Sequence, residues 1–225
     1  MSPAIVWDET GQRFFETGVD RGVLYTRDNT GAYAAGYAWN GLTAVTESPS
    51  GAETTKHYAD NIAYLSLTSA EEFSATVEAF TWPKQFEELD GQINPTPGVS
   101  VGQQARKTFG FAYRTKVGND IEAENYGYKL HLVYGCKAAP SEKAYATVSD
   151  STEPATFSWE FSTDPVAVGT INGIEYKPTS LLVIDSTTVD ATELATLEEL
   201  LYGSETGTAK LPLPAEVLAI FTDTP

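Results

Sequence analysis

Tyr58 to Gly91 reads YADNIAYLSLTSAEEFSATVEAFTWPKQFEELDG. Within it Phe73, Ala75, Val77 and Ala79 alternate with Glu72, Ser74, Thr76 and Glu78. A period of two gives a strand one apolar and one polar face, so the spacing predicts a strand over 72–80. The apolar set must be the core face, because burying Glu72 and Glu78 without partners costs several kcal/mol each. Trp82-Pro83 ends the ladder, since proline has no N–H to donate. Lys84 to Leu89 then reads as a short helix closed by Asp90-Gly91.

Upstream, a strand is expected over Ile62–Leu67, preceded by a long polar loop, Glu47 to Lys56, that is functional or disordered rather than a simple turn. Asn40-Gly41 is the strongest hairpin signal in the chain, between a short strand at Tyr37–Trp39 and a return strand at Leu42–Thr46. Gly18–Thr26 reads as the first strand. Residues 1–17 read as an arm, because Ile5, Val6, Trp7, Phe14 and Phe15 follow no regular period. A terminus this aromatic is expected to dock on its own domain or on a neighbour.

Downstream, Gln92–Gly102 reads as a loop because of Pro95, Pro97 and Gly98. Phe109, Phe111 and Tyr113, then Tyr128, Leu130, Leu132 and Tyr134, give two alternating runs. They read as a hairpin with facing aromatics, each such pair contributing about 0.2–1 kcal/mol. His131 falls on the polar face of the second run, where a solvated ring is expected. Further strands are expected at Tyr145–Val148, Thr156–Phe161 and Leu181–Asp185, with SDSTEP and Gly169–Gly173 as turns. Asp190 with Glu193 three residues on starts a helix whose stripe is Leu194, Leu197, Leu200 and Leu201, and Gly203 ends it. An apolar tail, Ala215–Phe221, closes the chain. The expected fold is mainly β, a sandwich or barrel with two short helices, forming a single domain over 18–225.

The formal net charge of −17 argues against binding nucleic acid by neutralising phosphates. Residues 47–100 carry nine acids and two bases, whereas residues 101–150 carry five acids and seven bases. Such a division suits contacts between oppositely charged faces of neighbouring copies, and equally a solvated surface. A single cysteine, Cys136, permits no intrachain disulfide and is expected to be a small buried residue. No apolar run reaches the length of a membrane span, and the N-terminus lacks the pattern of a signal peptide, so a soluble chain made in the cytoplasm is expected.

Gly98-Val99-Ser100-Val101-Gly102 is a literal G-x-S-x-G, followed by Asp120 and His131 in hydrolase order. Its prolines and the strand expected after it deny the strand–turn–helix context that motif needs. With two histidines and one cysteine, no zinc cluster is expected, and no phosphate- or dinucleotide-binding loop is present. Neither an enzyme nor a cofactor site is expected.

The segments WNGLTAVTESPSGAE (39–53), YADNIAYLSLTSAEEFSATVEAFTWP (58–83), GQQARKTFGFAYRTKVGND (102–120), YGYKLHLVYG (126–135), APSEKAYATV (139–148) and FSWEFSTDPV (157–166) resemble the major tail tube proteins of long-tailed bacteriophages. The likeness spans about Gly18 to Leu218. It implies a virion subunit, made in the host cytoplasm, that assembles into hexameric rings stacked as a tail tube, with non-contractile tails favoured. It also implies inner sheets joined into one barrel around a lumen. Double-stranded DNA passes there without specific binding, and the tape measure protein, tail terminator and distal tail proteins are partners. In such a wall, Glu72, Ser74, Thr76, Glu78, Thr156, Ser158 and Glu160 are candidates for the lumen, although alternation fixes the two faces and not which is inner. Contacts between subunits or rings are expected from Ile5, Val6, Trp7, Phe14 and Phe15, and from Glu47, Ser48, Pro49, Ser50, Gly51, Glu53 and Lys56. The alternative is a virion binding module, an adhesin or carbohydrate-binding domain, with Trp39, Trp82, Tyr33 and Tyr37 as its platform.

Overall fold

The alternation of buried and half-buried residues over Ser74–Ala79 is what the 72–80 pattern predicts, with Ala75, Val77 and Ala79 each at most 3% exposed. Around that strand the computed structural model describes residues 4–147, 154–205 and 207–222. In chain order the strands are β1 (Phe15–Arg27), β2 (Tyr33–Trp39), β3 (Leu42–Glu47), β4 (Ser50–Gly51), β5 (Thr54–Ala59), β6 (Ile62–Thr68), β7 (Glu71–Glu72) and β8 (Ser74–Ala79). Helix α1 (Phe86–Leu89) follows, then β9 (Ile93–Thr96), β10 (Val99–Val101), β11 (Phe109–Asn119), β12 (Ala123–Ala138) and β13 (Phe157–Thr163). The chain ends with β14 (Gly169–Ile171), β15 (Ile174–Tyr176), β16 (Leu181–Asp185), α2 (Ala191–Tyr202) and α3 (Pro214–Thr222).

The main sheet is antiparallel in the order β2-β1-β11-β12-β13-β8-β3, with β16 also on β12. Strand β12 changes partners along its length. Residues Lys129–Val133 pair with β16, and Cys136–Ala138 pair with β13. The exchange occurs at Gly135, which has φ +65° and whose added Cβ would lie 2.0 Å from the Asp164 carbonyl oxygen. Its N–H donates to the Tyr33 hydroxyl, and its carbonyl accepts from Asp164 N.

Two cores result. On one side Trp39, Phe86, Phe109, Phe111, Trp159 and Phe161 pack at ring distances of 4.7–6.1 Å, with Val77, Ala79, Val133 and Cys136 around them. On the other side Tyr25, Leu130, Leu132, Tyr134 and Ile184 are covered by Leu194, Leu197, Leu201 and Val217 of the C-terminal helices. Tyrosine hydroxyls fasten those helices to the sheet, Tyr25 donating to Leu201 O and Tyr134 to Pro212 O. Asp190 caps α2 by accepting from Thr192 N and Glu193 N, and these bonds hold its carboxyl below the usual range. Cys136 is fully buried, and burial pushes its thiol up.

Several expectations are corrected. The described residues hold three helices, because the apolar tail coils into α3 and buries Val217 against α2 and the sheet. The arm is shorter than residues 1–17, since β1 already begins at Phe15, opposite Gly118. Asn40-Gly41 does not join paired strands. It hands the chain from β2, which pairs with β1, to β3, which pairs with β8. The sheet curls so far that an added Cβ on Gly22 in β1 would sit 2.4 Å from Leu42 in β3. Gln92–Gly102 is a small hairpin, β9–β10, and Gly169–Gly173 lies within another, β14–β15.

The 72–80 strand breaks at Phe73 into β7 and β8. Tyr145–Thr147 forms no strand, while Val148 and most of SDSTEP lie outside the described residues. The facing aromatics of the central hairpin are also not realised. Phe111 opposes Val133 and Tyr113 opposes His131, while Leu130, Leu132 and Tyr134 point into the other core.

Gly135→Ala is expected to destabilise the chain by about 2 kcal/mol or more, combining a left-handed backbone with a clash against main chain. Gly98→Ala, with φ +81° but nothing within 4 Å of its added Cβ, is expected to cost only the backbone term of about 1–2 kcal/mol. Denaturant unfolding of both variants measures the difference, and equal losses contradict the partner-exchange role of Gly135.

Candidate assembly surfaces

The polar side of β8 continues across its neighbours. Glu78 lies beside Ser158 and Ala44, Thr76 beside Glu160 and Thr46, and Ser74 beside Ser162. Ser158, Glu160 and Ser162 are exposed, and Ser74, Thr76 and Glu78 half-buried. Within β3, β8 and β13 the face carries small hydroxyls and two carboxylates, and at its border Lys137 of β12 stands opposite Ser162 and is paired with Asp164. The structure therefore brings Ser74, Thr76, Glu78, Ser158 and Glu160 together. It sets two of the sequence candidates apart. Glu72 pairs with Ser50 in the short β4–β7 ladder, and Thr156 precedes β13. The bend at Phe73, which turns its ring toward the core, separates Glu72 from the rest.

The expected polar loop over 47–56 is the rising half of a long hairpin. Every residue from Ser48 to Glu72 is exposed. Its root is the pairing of Ser50 and Gly51 with Glu72 and Glu71, and its shaft the pairing of β5 with β6. Ser74 Oγ donates to Ser48 O at 2.6 Å, and Thr54 and Thr68 hydroxyls meet across the shaft at 3.1 Å. Asp60 and Asn61, at φ +51° and +63°, form a tip in which both residues are left-handed, matching the twist of a tight hairpin. Pro49 and Glu53 lie at its base, and Lys56 opposes Ser66. Sequence reading missed the strand because Thr54–Ala59 has no apolar alternation. Tyr58, Ile62, Tyr64, Leu65 and Leu67 stand 46–72% exposed. A two-stranded ribbon without a packed face is marginal alone, and apolar side chains grouped in this way mark a surface that another chain covers.

The arm is anchored at one point. The Asp120 carboxylate accepts from Gly11 N at 3.0 Å and from Arg13 N at 3.4 Å, and Phe14 packs on Tyr126 at 5.1 Å. Beyond that anchor Ile5, Val6 and Trp7 are 65–75% exposed, and Phe15 enters β1 at 43%.

Glu47 is not part of a free loop. Its Oε1 accepts from the Tyr113 hydroxyl at 2.5 Å and lies 3.0 Å from His131 Nδ1, while His131 Nε2 is 3.0 Å from Thr115 Oγ1. The imidazole stacks on Tyr113 at 4.5 Å and is 8% exposed, which corrects the solvated ring expected from the strand pattern. Packing of Glu47 from the end of β3 onto β12 covers it, a contact across 84 residues. Burial lowers the affinity of His131 for a proton, and Glu47 opposes that in part. Ser100 donates to Asn94 Oδ1 at 2.6 Å and Asp120 holds the arm, so the three residues of the hydrolase order are each engaged elsewhere. Among the described residues no group of three or more His, Cys, Asp or Glu is arranged to hold a metal ion. Among the described residues no helix is long and apolar enough to cross a membrane.

No protein-family model matches the chain, and no curated protein matches it in sequence.

His131 favours its neutral form in the folded chain, so its contribution to stability is full above the ordinary histidine value of about 6.5. That contribution falls as pH drops through this value toward the lower folded one. Thermal unfolding at pH 7.5 and 5.5 is expected to show a larger acid loss for the wild type than for His131→Asn. A wild type that gains stability relative to the variant in acid means that the Glu47 ion pair outweighs burial.

Proposed function

We propose that the chain is a structural subunit of a phage tail tube, polymerising as stacked hexameric rings through which double-stranded DNA passes. The observation that carries this reading is the exposed β5–β6 hairpin, whose apolar side chains are left uncovered by the described residues of its own chain. A second copy supplies a surface to cover them, and repetition of a head-to-tail contact yields rings or filaments. Strand β16 pairs on one side only, with Val183 47% exposed, and joining sheets between copies covers that edge. The resemblance of the sequence segments supplies the hexamer, the lumen, the virion location and the tape measure, terminator and distal tail partners.

The hydroxyl-and-carboxylate face of β3, β8 and β13 fits the inner wall of such a tube. Duplex DNA carries about one negative charge per 1.7 Å of axis, and a wall whose β3, β8 and β13 strands hold no arginine or lysine, with the bordering Lys137 paired to Asp164, offers it little to bind. The binding-module reading is weaker than it was in sequence. Tyr33 and Trp39 are each 2% exposed and Trp82 is half-buried, so three of the four platform aromatics are committed to packing.

Electron microscopy of the concentrated protein is expected to show rings or tubes of uniform diameter. A chain with residues 54–68 replaced by a short turn is expected to remain folded and stay unassembled. A wild type that remains monomeric with its partners present refutes the tube reading. In assembled tubes, Glu78→Lys with Glu160→Lys is expected to slow genome ejection strongly at low salt and less at high salt. Unchanged ejection puts that face on the exterior.

A further inference from the structure

The bulge in β1, the β2–β3 corner and the C-terminal end of α2 enclose a cleft of about 450 Å³. Its walls are mainly apolar, with Leu42, Ala38, Leu201 and Ala209 among them, and Asp20, Asn40, Tyr202 and Arg21 also line it. Arg21 has φ +51°, a left-handed conformation that costs a non-glycine residue energy and is kept where the surrounding structure uses it. The register of β1 against β11 slips between Asp20 and Val23, so Arg21 sits in the bulge. The neighbouring acid is neutralised, since Asp20 takes two 2.7 Å bonds from Arg114. Arg21 itself is held loosely. Its guanidinium lies 5.4 Å from the Tyr202 ring centre and 4.0 Å from Glu198, with half its side chain exposed.

We propose that this cleft receives the N-terminal arm of a second copy, with Trp7 seated against the apolar walls and Asp8 and Glu9 meeting Arg21. The arm carries the matching chemistry in order, Ile5-Val6-Trp7-Asp8-Glu9: apolar side chains followed directly by two acids. Trp7 is 75% exposed in its own chain, whereas Trp39 and Trp159 are at most 2% exposed. A cleft of this size suits one large aromatic, and an indole gains most from such a site because it buries a large area with few rotatable bonds.

The arm does not fill its own cleft. Gly11 is pinned by Asp120, beyond the Phe15 end of β1, and Arg13 Nε and Nη2 hold Asp8 O at 3.1 and 2.9 Å beside that anchor. Trp7, the residue before Asp8, stays 75% exposed. The donor in this proposal is another subunit. The inference rests on the reading of the chain as a self-assembling subunit and adds a defined contact to it.

The full-length protein tests it by tryptophan emission and acrylamide quenching as it assembles, with electron microscopy of the same samples. Assembly is expected to shift emission to the blue and cut quenching at least threefold, and Trp7→Phe is expected to abolish most of both changes. Arg21→Glu is expected to raise the concentration needed for assembly about tenfold or more. Mixing that variant with an Asp8→Lys, Glu9→Lys chain is expected to restore assembly, because each acidic cleft then meets a basic arm. Tubes in which Trp7 stays as quenchable as in the monomer overturn the arm contact and leave the tube reading standing. So does a charge-swapped mixture that gains nothing over its components. A dye-labelled peptide of residues 4–12 separates the remaining case by fluorescence anisotropy. Its binding to the wild type but not to Arg21→Glu, in a protein that forms no tubes, supports the cleft and sinks the tube. No binding to either, with no tubes, overturns both.

Discussion

The structure depends on one strand serving two cores. Strand β12 sends Val133 and Cys136 into the aromatic core, and Leu130, Leu132 and Tyr134 into the core beneath the helices. It can do so only by having different neighbours at its two ends, β16 beside residues 129–133 and β13 beside residues 136–138. The left-handed turn at Gly135, with the Asp164 carbonyl where a side chain would stand, lets one ladder give way to the other. The curled sheet, the aromatic cluster inside it and the helices outside it follow from that change of partner.

The aromatic core relates to function through what it leaves uncovered. Trp39, Phe86, Trp159 and Phe161 fill the curl of the sheet and hold β8 with its polar side outward. In the proposed tube, rigid backing of this kind keeps a hydroxyl-rich face smooth toward a passing polyanion. The hairpin is the opposite case. It extends from the end of β3 with its root held by short ladders and by Glu47 against Tyr113 and His131, and its apolar side chains remain in water. Large exposed apolar groups cost solubility in a free subunit, so their place in the fold is an argument for assembly.

The cleft beside Arg21 and the anchored arm add a third element to that surface. The arm is fixed at Asp120, with Asp8 O held by Arg13, and the cleft lies beside the bulge in the middle of β1. In the proposed assembly a donor and an acceptor at different places on one subunit give a heterologous contact, the kind that propagates into rings or filaments rather than closing as a two-fold dimer.

Much was legible in the residues themselves. The faces of β8 and β13, the cap of α2 at Asp190 and its Leu194–Leu197–Leu201 stripe follow from covalent periods of two and 3.6, which are local. The polar candidates Ser74, Thr76, Glu78, Ser158 and Glu160 were found for the same reason. What the residues did not specify was which strand lies beside which. Asn40-Gly41 reads as a hairpin turn, yet Trp39 belongs to the aromatic core and the chain crosses to β8 instead. His131 reads as solvated until Glu47, 84 residues away, packs over it. Thr54–Lys56 reads as loop because the strand they open, Thr54–Ala59, is exposed throughout and has no period to show. Alternation along one strand is set by its own backbone, whereas burial is set by its neighbours, and only the tertiary structure chooses those.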